Sequence, residues 1–137
     1  MNISNLERQH TEIKELFEKI DKHIKSSNLM DNIDSMVWDI NTLAGKLNIH
    51  MRTEDRFLYP ELINSNNDKL KKMATEYSDE MGNIHSVFTE YKNKFNTRNK
   101  ILSNKEEFIK ESKRVLALLV NRIEKEDLKL YPEIKTL

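Results

Sequence analysis

The stretch Glu54-Asp55-Arg56-Phe57-Leu58-Tyr59-Pro60-Glu61-Leu62 returns 72 residues later as Glu126-Asp127-Leu128-Lys129-Leu130-Tyr131-Pro132-Glu133-Ile134. Each copy closes an apolar stripe spaced at three to four residues, the spacing that puts side chains on one face of a helix. The first stripe is Ile33, Met36, Ile40, Leu43, Leu47 and Leu58; the other is Phe108, Val115, Leu119, Ile123 and Leu130. Two further stripes complete the chain: Ile3, Leu6, Ile13, Phe17, Ile20 and Ile24, and Leu70, Met73, Tyr77, Ile84, Phe88, Tyr91 and Phe95. The repeat makes the second and fourth helices pseudo-equivalent, so the chain reads as two helical hairpins. It also carries His10 of the first helix to about position 82 in the third, where a fourth contribution to any site should be sought.

The polar breaks are Ser26-Ser27-Asn28, Asn64-Ser65-Asn66-Asn67 and Asn96-Thr97-Arg98-Asn99. Short links favour antiparallel neighbours. The expected fold is therefore all-α, an antiparallel up-down-up-down four-helix bundle spanning residues 1–137 as one domain. Ser4 with Glu7 and Ser103 with Glu106 fit the S-x-x-E capping box, marking starts of the first and fourth helices.

Composition agrees. Two glycines and two prolines in 137 residues fall far below the usual ~7% and ~5% and leave little punctuation for a β-protein. Lys+Arg and Asp+Glu balance at 23 each, which argues against nucleic acid or a membrane surface as the main partner, since both favour a basic excess. The absence of cysteine excludes disulfides, thiolate metal sites and a Cys nucleophile, so any metal must use histidine and carboxylate. No phosphate-cradling glycine loop is present. The start Met1-Asn2-Ile3-Ser4-Asn5-Leu6-Glu7 has no basic-then-apolar signal pattern, and no apolar run reaches the ~18 residues of a membrane span; the expectation is a cytoplasmic protein.

The informative positions are ionisable residues on the apolar stripes. His10 falls between Leu6 and Ile13 and points inward. His50 and Glu54 continue the Leu43, Leu47 series one turn apart. Glu126 lies in line with Leu119 and Leu130, with Arg122 one turn earlier on the same face. On the third helix Glu80 and His85 flank the Tyr77, Met81, Ile84, Phe88 stripe on opposite sides. In an up-down bundle these positions share one end. Buried charges each lose hydration worth several kcal/mol unless paired or metal-bound, so a metal centre is one way to hold them together, and imidazole with carboxylate suits iron, manganese or zinc. For Glu126 an ion pair with Arg122 is the metal-free alternative. His23 lies off its stripe and is expected at the surface; Trp38 is expected to pack, the methionines to fill core gaps, and Tyr59 and Tyr131 to plug the bundle end.

The run His50-x-x-x-Glu54 before Leu58-Tyr59-Pro60, the inward His10, and the second E-x-x-x-L-Y-P run at Glu126 to Pro132 resemble the hemerythrin and HHE cation-binding bundles over essentially the whole chain. The resemblance implies a non-haem iron centre, typically of two ions bridged by two carboxylates. Carried over residue by residue it implies His10, His50, Glu54 and Glu126 as metal ligands, with Glu54 and Glu126 bridging, and either Glu80 or His85 from the third helix. It departs at Arg122, which stands where the family has histidine and cannot coordinate a metal. A small ligand such as O2, NO or peroxide is implied, for sensing, detoxification or iron handling, and another divalent metal or a single ion remains open. The alternative is a degenerate, metal-free or mononuclear bundle acting as an interaction module, in which Arg122 pairs with Glu126 or Glu54. Oligomeric state is not legible.

Overall fold

A computed structural model describes residues 1–26 and 28–137; Ser27, in the first polar break, lies outside the described residues. The chain folds as α1 (Ser4–Lys25), a 3-10 turn (Leu29–Asn32), α2 (Ile33–Thr53), α3 (Tyr59–Ile63), α4 (Asp68–Phe95), α5 (Arg98–Ser103), α6 (Lys105–Lys125) and α7 (Tyr131–Lys135). Two π-helical segments intervene, Glu54–Leu58 between α2 and α3, and Glu126–Leu130 between α6 and α7. There is no strand among the described residues. None of their helices is long and apolar enough to cross a membrane.

The π segments are the structural form of the sequence repeat. Pro60 and Pro132 cannot donate a backbone hydrogen bond, and a proline ring collides with the carbonyl four residues back in a regular helix. The chain answers by widening one turn. Tyr59 N–H reaches the Glu54 carbonyl and Tyr131 N–H the Glu126 carbonyl, five residues back in each case. Such single wide turns inside helices concentrate at functional sites, and here each one opens on a carboxylate expected to be a ligand.

Both expected capping boxes are corrected. Ser4 lies already in the first turn of α1, whose preceding residue Ile3 has no side chain able to cap; the Ser4 N–H instead donates to Asn2 Oδ1 at 2.9 Å. Ser103 ends α5, and α6 is capped one residue later by Asn104, whose Oδ1 accepts from Glu107 N–H at 3.2 Å. Asparagine caps as well as serine, so the adjacent residue takes the role. Asn67 caps α4 in the same way, accepting from Leu70 N–H at 3.1 Å.

Helix α1 packs against α2 and α6, and α4 packs against the same two. His10 near the start of α1 meets His50 near the end of α2, and Arg122 near the end of α6 meets Glu80 just before the middle of α4; this is consistent with up-down-up-down order. Every residue of the four stripes is buried except Met73 and Ile84, which are half-buried. The apolar core is divided. A large cluster built on Ile13, Ile20, Ile40, Leu43, Phe88, Phe108 and Ile123 fills most of the bundle. A smaller one, with Leu6, Leu58, Leu62, Leu70, Leu130 and Ile134, closes one end. Side chains of His10, His50, Glu54, Arg122 and Glu126 are buried with them.

Three minor expectations change. Trp38 does not pack: it is 73% exposed, because it falls on the side of α2 opposite the Ile40, Leu43, Leu47 stripe. Met36 and Met81 fill the core, but Met1 and Met30 are exposed. His23 is partly sheltered, its Nε2 3.6 Å from Asp39 Oδ2.

Candidate metal centre

Helix α1 delivers His10, the last turn of α2 delivers His50, and the two π segments open on Glu54 and Glu126. The four side chains are at most 2% exposed. His10 Nε2 and His50 Nε2 stand 3.0 Å apart. Glu54 Oε1 lies 3.1 Å from His50 Nε2, and Glu126 Oε1 lies 3.4 Å from His10 Nε2 and 3.7 Å from His50 Nε2. His10, His50 and Glu126 offer ligand atoms all within 4.8 Å of one another.

Each ring is aimed by its other nitrogen. His10 Nδ1 sits 2.6 Å from Asp127 Oδ1, and Asp127 is itself ion-paired with Lys14. His50 Nδ1 donates to Gln9 Oε1 at 2.7 Å. Partners of this kind hold the Nδ1 side of each ring and turn Nε2 toward the centre, where it can bind a cation once its proton is lost. The carboxylates are held from outside as well: Tyr59 Oη donates to Glu126 Oε2 at 3.0 Å, and Tyr131 Oη to Glu54 Oε2 at 3.2 Å. What remains unsatisfied points inward. Glu54 Oε1 and Glu126 Oε1 are buried and have no aligned hydrogen-bond donor.

The electrostatics record the same crowding. Burial and the neighbouring Glu126 charge push the Glu54 carboxyl well above the usual carboxylate range. Burial pushes Glu126 up too, but the Glu54 carboxyl, His10 and His50 together hold it well below that range. Burial disfavours a charged His50, yet Glu126 and Glu54 outweigh it and push the ring up to about 9. The pair of carboxylates thus shares its protons with the His50 ring when nothing else supplies positive charge.

Of the six expected ligands the fold brings four together and leaves two apart. Glu80 is about half exposed and accepts from Arg122 Nη1 at 2.8 Å and Lys125 Nζ at 3.2 Å. His85 lines a surface groove between α2 and α4 with Asn41, Asn48 and Phe88. Both flank the buried stripe of α4, and the packing of α4 leaves each half-buried and turned away from the cluster. The repeat-equivalent of His10, at position 82, is an exposed glycine beside buried Met81, so α4 brings no ligand to the place sought. The ion pair of Arg122 with Glu126 or Glu54, the metal-free alternative, is not formed. Arg122 turns to Glu80, donates from Nη2 to the Tyr77 carbonyl at 2.9 Å, and stacks 4.2 Å over the Tyr77 ring.

Sequence reading missed the supporting roles of Gln9, Asp127, Tyr59 and Tyr131. Gln9 and Asp127 adjoin His10 and Glu126 in sequence, and each tyrosine stands five residues after its carboxylate in both copies of the repeat. That identical offset was the available signal.

Two imidazole nitrogens and two partnerless carboxylate oxygens, converging in a buried layer, form a donor set suited to a divalent cation. No curated protein and no solved structure matches the chain. The family model of the hemerythrin HHE cation-binding domain matches residues 1–134, and with the bundle and buried His/Glu cluster the chain belongs to that family.

Proposed function

We propose that this domain is a non-haem iron protein whose centre receives O2, NO or peroxide in sensing, detoxification or iron handling. The observation that carries this reading is the meeting of acceptors: His10 Nε2 faces His50 Nε2 at 3.0 Å while Glu54 Oε1 and Glu126 Oε1 lack donors. A cation satisfies all four at once. His10, His50, Glu54 and Glu126 would hold the iron, and bound iron would supply an electrophilic, redox-active centre for a small ligand. Asp127 and Gln9 keep the rings oriented, Tyr59 and Tyr131 place hydroxyl donors against the carboxylates, and the apolar clusters limit water. Glu80 and His85 have no part in this reading.

The family resemblance suggests two ions bridged by Glu54 and Glu126. A specific observation favours one: the repeat carries His10 to Gly82 and His50 to Arg122, so only the α1–α2 half supplies imidazole. In the metal-free alternative the core carboxylates would rely on the imidazoles for compensation, since Arg122 pairs with Glu80. Iron analysis of the purified chain, with spectra before and after air exposure and on adding NO, tests the proposal. One or two irons per chain, lost in His50→Ala and Glu54→Ala, are expected. A wild-type chain that takes up no iron after anaerobic loading would overturn it.

A further inference from the structure

The core uses Ile33, Met36, Ile40, Leu43 and Leu47 of α2, yet a second stripe runs along the outer side of the same helix. Trp38 is 73% exposed and Ile49 is 59% exposed. Thr42 and Gly45 lie between them at spacings of four, three and four residues, the spacing by which one helix seats against another. Gly45 borders the groove between α2 and α4, but no close packing inside the chain requires a glycine there. Its φ is not positive, and a Cβ built there meets nothing within 4 Å. Glycine in a helix interior costs about 1 kcal/mol against alanine, so neither the helix nor its internal packing calls for it.

The two ends of this stripe differ in charge. Asp34, one turn before Trp38, is 78% exposed and ion-paired with Arg98 at 3.4 Å. Arg52, close to one turn after Ile49, is exposed beside Asp55 and Arg56. Reversed end to end, the stripe complements itself. Thr42 comes level with Gly45, Trp38 with Ile49, and Asp34 with Arg52 on the same lateral side. A parallel pairing would instead set Asp34 beside Asp34 and Arg52 beside Arg52.

We propose that the outer face of α2 is an interface for a second copy of this chain, with the two α2 helices antiparallel about a two-fold axis. Small residues at the centre let the helix axes approach closely. Trp38 is the aromatic anchor on each side. Helical side chains lean toward their own N-terminus, which carries the indole past Ile49 of the second copy toward its Arg52, where the guanidinium can lie against the ring. Each patch meets its own copy, as a closed two-fold interface requires. The inference is independent of the metal reading.

The test is sedimentation velocity on the whole chain from about 1 to 100 μM, read together with emission from Trp38, the chain's one tryptophan. A reversible dimer is expected, with emission moving to shorter wavelength as concentration rises. Gly45→Glu has open space around it, so it should keep its helical circular dichroism and lose the dimer. Asp34→Arg and Arg52→Asp should each weaken association by about ten-fold, and the double swap should restore it. A chain monomeric throughout, a dimer indifferent to Gly45→Glu, or a double swap no better than the singles overturns the proposal.

Discussion

Tyr59, five residues beyond the first buried carboxylate, gives its phenolic hydrogen not to that carboxylate but to Glu126 of the other repeat, 3.0 Å away. Tyr131 returns the bond to Glu54 at 3.2 Å. The exchange is what a two-fold relation between hairpins produces, and it ties both π segments across the bundle. Burial and the Glu54 and Glu126 charges push both phenols above the ordinary tyrosine range, so each hydroxyl stays a donor.

Tyr59→Phe and Tyr131→Phe each remove a donor to a buried carboxylate, a bond worth about 1.5–3 kcal/mol. Each single variant is expected to lower metal-free stability by about that amount in urea unfolding. Because the two bonds serve one coupled carboxylate pair, the double variant should deviate from additivity. Additive losses would mean the two carboxylates do not share their protons.

Ferrous iron added anaerobically should raise the melting temperature progressively, since a ligand of the folded state stabilises by RT ln(1 + [L]/Kd), about 2.7 kcal/mol at 100 Kd. His50→Ala should remove the response by taking away an inward Nε2. His23→Ala, on a half-sheltered ring elsewhere on α1, should leave it intact. Equal responses in wild type and His50→Ala would place the iron elsewhere.

The bundle was legible because each of its four long helices announces one buried face; His10, His50, Glu54 and Glu126 stood out as ionisable residues on those faces. Glu80 and His85 misled because a position beside a stripe can turn either way, and only the packing of α4 decides. The π segments were not legible. Glu54 to Tyr59 keeps a helical pattern, and the widening at Pro60 depends on the wider turn being packed and capped by the rest of the fold. Arg122 stands out in the sequence as a departure, but its partner is not legible there: Glu126 is one turn away in sequence, yet the guanidinium reaches α4, where Glu80, the Tyr77 carbonyl and the Tyr77 ring all receive it.

Capping separates the sequence reading from the structure in a measurable way. Asn104→Ala should cost about 1 kcal/mol through loss of the bond to Glu107 N–H. Ser103→Ala should cost less than about 0.5 kcal/mol, because its hydroxyl bonds only to the Asn99 carbonyl on an exposed turn. Chemical denaturation of the two variants side by side decides it; a larger loss in Ser103→Ala would return the start of α6 to the earlier residue.

Arg122 occupies the position that the repeat makes equivalent to His50, one helical turn before Glu126 as His50 is before Glu54. Arg122→His would give α6 the same His-x-x-x-Glu pair that α2 carries. The variant should lose metal-free stability by about 1–3 kcal/mol, because a guanidinium hydrogen-bonded to Glu80 and the Tyr77 carbonyl is removed; Glu80 keeps Lys125 as a partner. Iron per chain should rise relative to wild type. Arg122→Met is the control: it removes the same charge, keeps bulk and offers no imidazole, so it should share the stability loss without the gain in iron. If Arg122→His and Arg122→Met load equally, the arginine does not stand in a ligand position, and the asymmetry between the two hairpins is a matter of packing and charge at the α4–α6 contact.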